Sequence, residues 1–229
     1  MSGVIVITGA SSGIGRATAK VFAAKNYTCV LNARSKDDLD SIAHDLPGDH
    51  RVVDGDITEE ATSEALRETV DDLGGIDVLF ANAGYGSFKP VEEFTKDEFE
   101  DQFATNVTGV FLPIKHLLPV FRDQDNGSII VTSSMAAKNT FKTGSAYAAT
   151  KHAVQGFIGC VKDELRDSHV KCASVLPGSV DTAFFKDKDF GPTEDRHLSA
   201  DDVAETVRFV AEQPSTADLD EIVLRPARR

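Results

Sequence analysis

Apolar residues fall in short, nearly continuous blocks, and the longer stretches between them place apolar positions three and four apart. Val4-Ile5-Val6-Ile7-Thr8 is the clearest block: β-branched and without polar alternation, as in a strand buried on both faces. Blocks at 28–31, 51–54, 77–81, 127–134, 170–176 and 221–224 predict six further strands, with 32–35 as the turn after the second. Helical spacing predicts helices over 16–25, 37–46, 59–73, 146–166 and 199–212, the last capped by Ser199. A longer helix is expected from Thr95, where Thr95-Lys96-Asp97-Glu98 has capping-box spacing, to about residue 121, kinked or broken at Pro113. Strands alternating with helices imply an α/β fold: a right-handed, doubly wound parallel sheet of about seven strands with helices on both faces. No Pro/Gly/Ser-rich linker divides the 229 residues, so one domain over 1–229 is expected, with an irregular stretch near 181–198.

Candidate chemistry begins directly after the first block. Thr8-Gly9-Ala10-Ser11-Ser12-Gly13-Ile14-Gly15 spaces its glycines G-x-x-x-G-x-G between a strand and a helix. Glycines there let the chain turn tightly and bring backbone N–H groups up to a pyrophosphate at the helix N-terminus. At the end of the second strand stand Ala33 and Arg34. An acidic residue at this point takes a ribose 2′-hydroxyl and repels a 2′-phosphate. Its absence, with a guanidinium alongside, favours NADP(H).

Tyr147 and Lys151 stand four apart in a segment of good helix formers, so they share one face. A free phenol has a pKa of about 10, and a neighbouring ammonium is expected to lower it. A tyrosine tuned in this way gives a proton to a carbonyl oxygen or takes one from an alcohol. Ser134, thirteen residues before Tyr147, can supply a second hydrogen bond to that oxygen.

With Asn82-Ala83-Gly84 and Asn106, these segments resemble the short-chain dehydrogenase/reductase superfamily over nearly the whole chain. The resemblance implies a Rossmann-type fold and reversible hydride transfer between NADP(H) and a secondary alcohol or carbonyl. Tyr147 would be the acid/base, and Lys151 would lower its pKa and bind the nicotinamide ribose. Ser134 would orient the carbonyl, and Asn106 would hold a water in contact with the lysine. Beside Gly9, Ser11, Ser12, Gly13, Ile14, Gly15 and Arg34, the cofactor would meet Asp56 and Ile57 at the adenine and Asn82, Ala83 and Gly84 along its length. At the nicotinamide it would meet Pro177, Gly178, Val180 and Thr182. Asn82 is expected to hold strands together more than to do chemistry. The stretch 181–198 would cover the substrate, with Phe184, Phe185, Phe190 and His197 toward the pocket and Lys186, Lys188 or Arg196 available to a carboxylate. The close, Val223 to Arg229, lacks the Gly-rich ending of many members and resembles the short NADP-dependent 3-hydroxy acid and serine dehydrogenase branch.

Charge narrows the partners. A formal net charge of −13 argues against nucleic acid, which needs a basic face. The acidic excess suits a halophilic source or an ordinary acidic cytosolic enzyme. No apolar run is long enough to span a membrane, and the N-terminus lacks a charged n-region, so a cytoplasmic location is expected. Cys29, Cys160 and Cys172 lie in apolar surroundings and read as reduced core residues, with no metal site. The Asn106 and Tyr147 helices carry more apolar positions than one core face needs, so a homodimer or homotetramer is expected. The alternative function is a catalytically idle Rossmann protein that binds NADP(H) as a sensor.

Overall fold

A computed structural model describes residues 3–182, 184, 197–214 and 216–227. Seven strands, β1 (Val4–Thr8), β2 (Thr28–Ala33), β3 (Arg51–Asp54), β4 (Val78–Ala81), β5 (Gly127–Thr132), β6 (Val170–Pro177) and β7 (Glu221–Leu224), form one sheet. Their order is β3-β2-β1-β4-β5-β6-β7, and every neighbouring pair is parallel. The helices α1 (Gly13–Ala23), α2 (Lys36–Asp45), α3 (Glu60–Asp72), α4 (Lys96–Phe103), α5 (Gly109–Gln124), α6 (Ser145–Glu164) and α7 (Ala200–Ala211) connect them.

Alternation along each strand builds two cores, because successive side chains leave opposite faces. Val6, Leu79 and Ile129 pack beneath α3, α5 and α6, whereas Ile5, Ile7, Phe80 and Ile130 pack beneath α1, α2 and α7. Both faces are covered, which is why the strands read as unbroken apolar blocks. The chain steps outward from β1 to β3, then crosses back to lay β4 beside β1. That reversal opens a crevice at the carboxyl ends of β1 and β4.

Four local expectations change. β2 runs on to Ala33 instead of turning at 32, because Asn32 is buried and its Nδ2 donates to the Val53 and Gly55 carbonyls at 3.0 and 3.3 Å. β5 stops at Thr132, short of the serine pair, and Ser134 instead caps a 3-10 turn by accepting from the Ala136 N–H.

The long helix starts on the expected Thr95 capping box but is not broken at Pro113, which α5 accommodates along with Pro119. The interruption is a π-helical turn, Ala104–Thr108, where the Gly109 N–H reaches back to the Ala104 carbonyl. This wider turn contains Asn106, whose fully buried side chain bonds Tyr85 and Thr150. Among the thiols, Cys29 and Cys172 are buried as expected, but Cys160 is exposed. Residues 185–196, most of the stretch expected to cover a substrate, lie outside the described residues, with Phe185, Phe190, Lys186, Lys188 and Arg196 among them.

Candidate active site

The carboxyl ends of β1, β4, β5 and β6 open on a cleft of about 1150 Å³. Its first wall is the loop from Gly9 to Ile14. Gly9 and Gly13 take φ of +68° and +50°, the left-handed region that favours glycine. Gly15 does not line the cleft; it lies behind the loop, where a Cβ would collide with the Gly9 carbonyl oxygen. Its role is close packing of α1 on the turn. Ser12 caps α1 without a side-chain bond, and the first turn of α1 carries no acidic residue, so its N–H groups suit an anion.

Asn82 laces three strand ends together. Its Nδ2 donates to the Thr8 carbonyl at 3.1 Å, its Oδ1 accepts from Thr132 Oγ1 at 3.0 Å, and its N–H donates to Thr8 Oγ1 at 3.0 Å. The mainly structural reading of this residue therefore fits its bonds, and it lines the cleft with Ala83 and Gly84.

At one end of the cleft stand Ala33, Arg34, Asp56 and Ile57. Arg34 is exposed and makes no ion pair among the described residues. Asp56 spends Oδ1 on the N–H and hydroxyl of Thr58, at 2.9 and 2.8 Å. Sequence reasoning missed Asp38, which lines the same end from the first turn of α2. Its signal was available: it follows the Ser35 cap by three residues, and its N–H donates to Ser35 Oγ at 3.4 Å.

The other end holds Ser134, Tyr147 and Lys151. Tyr147 and Lys151 lie one turn apart on α6, 9% and 4% exposed, with Lys151 Nζ 5.7 Å from the Tyr147 ring centroid. Lys151 Nζ donates to the Thr132 carbonyl at 2.9 Å. Burial pushes the Tyr147 phenol up to about 12, and only the hydrogen bond with Ser134 pulls it back. Burial pushes the Lys151 ammonium down to about 8. The expected lowering of the phenol by the lysine is thus reversed here: the ammonium faces a carbonyl, and loss of water outweighs its pull.

Asn106 does not line the cleft. Its Oδ1 accepts from the Tyr85 N–H at 2.9 Å, and its Nδ2 donates to the Tyr85 carbonyl at 2.8 Å and Thr150 Oγ1 at 3.0 Å. It ties the loop after β4 to the residue preceding Lys151. A Cβ on Gly84 would sit 3.0 Å from Asn106 Oδ1 and 3.8 Å from Lys151 Nζ, so both side chains come close to Gly84.

The segment after β6 closes the cleft with Pro177, Gly178, Val180 and Thr182. Val180 bridges to Leu198, and the Thr182 methyl packs over Gly13, 3.3 Å from where a Cβ would lie. His197 is exposed and sits 3.9 Å from Asp181 rather than lining the cleft. Phe184 lines it as expected, joined by Phe88 and Phe141, which sequence reasoning missed because loops carry no periodic signal. Glu60, Glu64 and His116 cluster away from the cleft lining, and Glu60 is already engaged by Lys115 and His116.

Seven parallel strands wound 3-2-1-4-5-6-7, with a glycine-walled crevice at the switch point, define a Rossmann-type protein. Residues 3–191 match the family model for short chain dehydrogenases. An oxidoreductase of Staphylococcus haemolyticus is 31% identical over 97% of this chain and 96% of its own length. The alcohol dehydrogenase of the archaeon Thermococcus sibiricus, solved with 5-hydroxy-NADP, is 32% identical, with a TM-score of 0.89 over 100% of this chain and 99% of that one. The 3-ketoacyl-(acyl-carrier-protein) reductase of Brucella melitensis, solved with NADH, is 27% identical, with a TM-score of 0.89 over 97% and 96%. The chain belongs to the short-chain dehydrogenase family and is an oxidoreductase of that family.

Proposed function

We propose that this protein transfers hydride reversibly between NADP(H) and a secondary alcohol or carbonyl, with Tyr147 as the acid/base. The observation that carries this reading is that Ser134, Tyr147 and Lys151, the last two one turn apart on α6, line one end of a cleft whose other end presents Arg34. The residues present fit a dinucleotide. Gly9 and Gly13 hold the backbone in conformations that bring N–H groups to the loop surface, and α1 begins without an acidic residue. Gly9 to Ile14 would hold the pyrophosphate, Arg34 the 2′-phosphate, and Asp56 and Ile57 the adenine. Asn82, Ala83 and Gly84 would meet the middle, and Pro177, Gly178, Val180 and Thr182 the nicotinamide end. Gly15 supports the first wall from behind.

The cofactor supplies or takes up the hydride at the substrate carbon. Ser134 donates to the carbonyl oxygen, and Tyr147 gives that oxygen its proton in reduction and removes it in oxidation. Lys151, one turn from Tyr147 on α6, would bind the nicotinamide ribose. Asn106 steadies Lys151 from beneath and anchors the water that relays its proton. One domain, spanning 1–229, carries all of this in the cytoplasm, without nucleic acid as a partner. Among the described residues no helix is long and apolar enough to cross a membrane.

The pH dependence tests this assignment. Oxidation needs the phenolate, and reduction needs the phenol. With Tyr147 at about 12, oxidation should climb without a plateau as pH rises toward about 12, because the phenolate fraction keeps growing. Reduction should stay level across the same range, because the phenol keeps its proton. Steady-state kcat/KM in both directions decides the matter, and reduction that rises with pH would sink it.

Assembly is a second expectation. Phe111 on α5 is 41% exposed, and its ring packs 5.9 Å from that of Phe157 on α6. Exposed apolar surface shared by two helices suits a second copy of the chain. Light scattering at micromolar concentration should give a dimer or tetramer in high and low salt alike, and a monomer in both would refute it.

A further inference from the structure

Phenylalanines from two separate loops pack on Tyr147, and one from a third loop packs on the first of them. Phe88 follows β4, Phe141 precedes α6, and Phe184 follows β6. The Phe88 and Phe184 ring centroids lie 5.3 and 5.5 Å from that of Tyr147 and 5.9 Å from each other. Phe141 joins them 5.8 Å from Phe88. All three line the cleft at its Ser134 end.

Two glycines seat these rings. A Cβ on Gly86 would come 2.6 Å from the Cζ of both Phe88 and Phe184, and one on Gly144 would collide with the Phe141 ring. The cluster is therefore built into the backbone on both sides of the cleft.

Charge is arranged the opposite way. Among the described residues, the charged side chains that line the cleft are Arg34, Asp38, Asp56 and Lys151. The first three stand at the β2 and β3 ends, and Lys151 is held by the Thr132 carbonyl. Among the described residues, no other cation lines the end near Tyr147. A substrate carboxylate there would shed water without gaining an ion pair from any described residue. A flat apolar ring would gain edge-to-face contacts with the walls.

Resting on the hydride-transfer reading above, we infer that the substrate is a ring-bearing apolar ketone or secondary alcohol, aryl or alicyclic, with the ring held among Phe88, Phe141 and Phe184. This departs from the hydroxy-acid class suggested by the chain's ending.

The test uses the full-length protein with NADPH or NADP⁺ and a fixed panel. It pairs acetophenone and cyclohexyl methyl ketone with acetone and 3-oxobutyrate, and 1-phenylethanol with 3-hydroxybutyrate and serine. Ring-bearing members should lead in kcat/KM by about tenfold or more. Phe88→Ala and Phe141→Ala should each narrow that lead by about tenfold, chiefly through KM, with Phe→Leu at the same sites intermediate. Should the alanine variants fail to fold, the wild-type ranking alone decides. A lead for 3-oxobutyrate, 3-hydroxybutyrate or serine overturns this inference and leaves hydride transfer standing. No turnover of any member, with NADPH still bound, overturns both.

Discussion

Tyr147→Phe is expected to lower kcat by roughly a thousandfold while leaving NADP(H) affinity within about twofold, as befits loss of a general acid/base. The phenyl ring would keep its packing against Phe88 and Phe184, because those contacts involve the ring and not the hydroxyl. What disappears is the titrating proton, while Ser134 Oγ still accepts from the Ala136 N–H at 3.1 Å. The variant should therefore melt close to wild type, which separates loss of chemistry from loss of fold. Cofactor titration by nicotinamide fluorescence and single-turnover rates provide the two readouts. Retention of more than about a tenth of wild-type kcat would show that another group carries the proton.

The second large effect concerns cofactor choice. Wild type should prefer NADP⁺ over NAD⁺ by roughly ten- to hundredfold, the contribution of a charge-assisted hydrogen bond between Arg34 and a 2′-phosphate. Ala33→Asp/Arg34→Ile should reverse the order. The new carboxylate would accept from the ribose diol and repel the phosphate. Two neighbours limit the gain with NAD⁺. Ala33 stands in register with Asp54 across the β2–β3 pair, so a carboxylate at 33 would meet a like charge. Asp38 adds another at the same end of the cleft. The swing should therefore come more from lost NADP⁺ binding than from improved NAD⁺ binding. Arg34 is exposed, so its preference should also shrink as potassium chloride rises. Equal or better use of NAD⁺ by wild type, measured as kcat/KM, would remove Arg34 from the site.

Signals carried by neighbouring residues were readable without coordinates. The β-branched block at Val4 to Thr8 could only be a strand covered on both faces, and its place before a glycine turn and a helix set the first βα unit. Thr95 and Ser199 both make the capping boxes or caps that their spacing announces, because such bonds close within four residues. Tyr147 and Lys151 share a face for the same reason. Periodicity and caps are local, and local chemistry decides them.

Long-range contacts decided the rest. Asn32 looks like a turn residue, yet it extends β2 because its amide meets carbonyls at Val53 and Gly55, more than twenty residues away. Pro113 looks like a breaker, yet the long helix widens at Asn106, where a fully buried amide finds Tyr85 and Thr150. The direction of the Tyr147 shift could not be read from its spacing to Lys151, because burial by the surrounding fold outweighs one nearby ammonium. Phe88, Phe141 and Phe184 lie far apart in the chain and meet only where the ends of β4 and β6 and the start of α6 bring their loops together. The sequence by itself determined the strands, the caps, the glycine turn and the shared helix face of Tyr147 and Lys151, since each is settled by residues within a few positions of one another. Only the tertiary structure decided what surrounds that pair, because burial and ring packing depend on which distant segments the sheet brings to one edge.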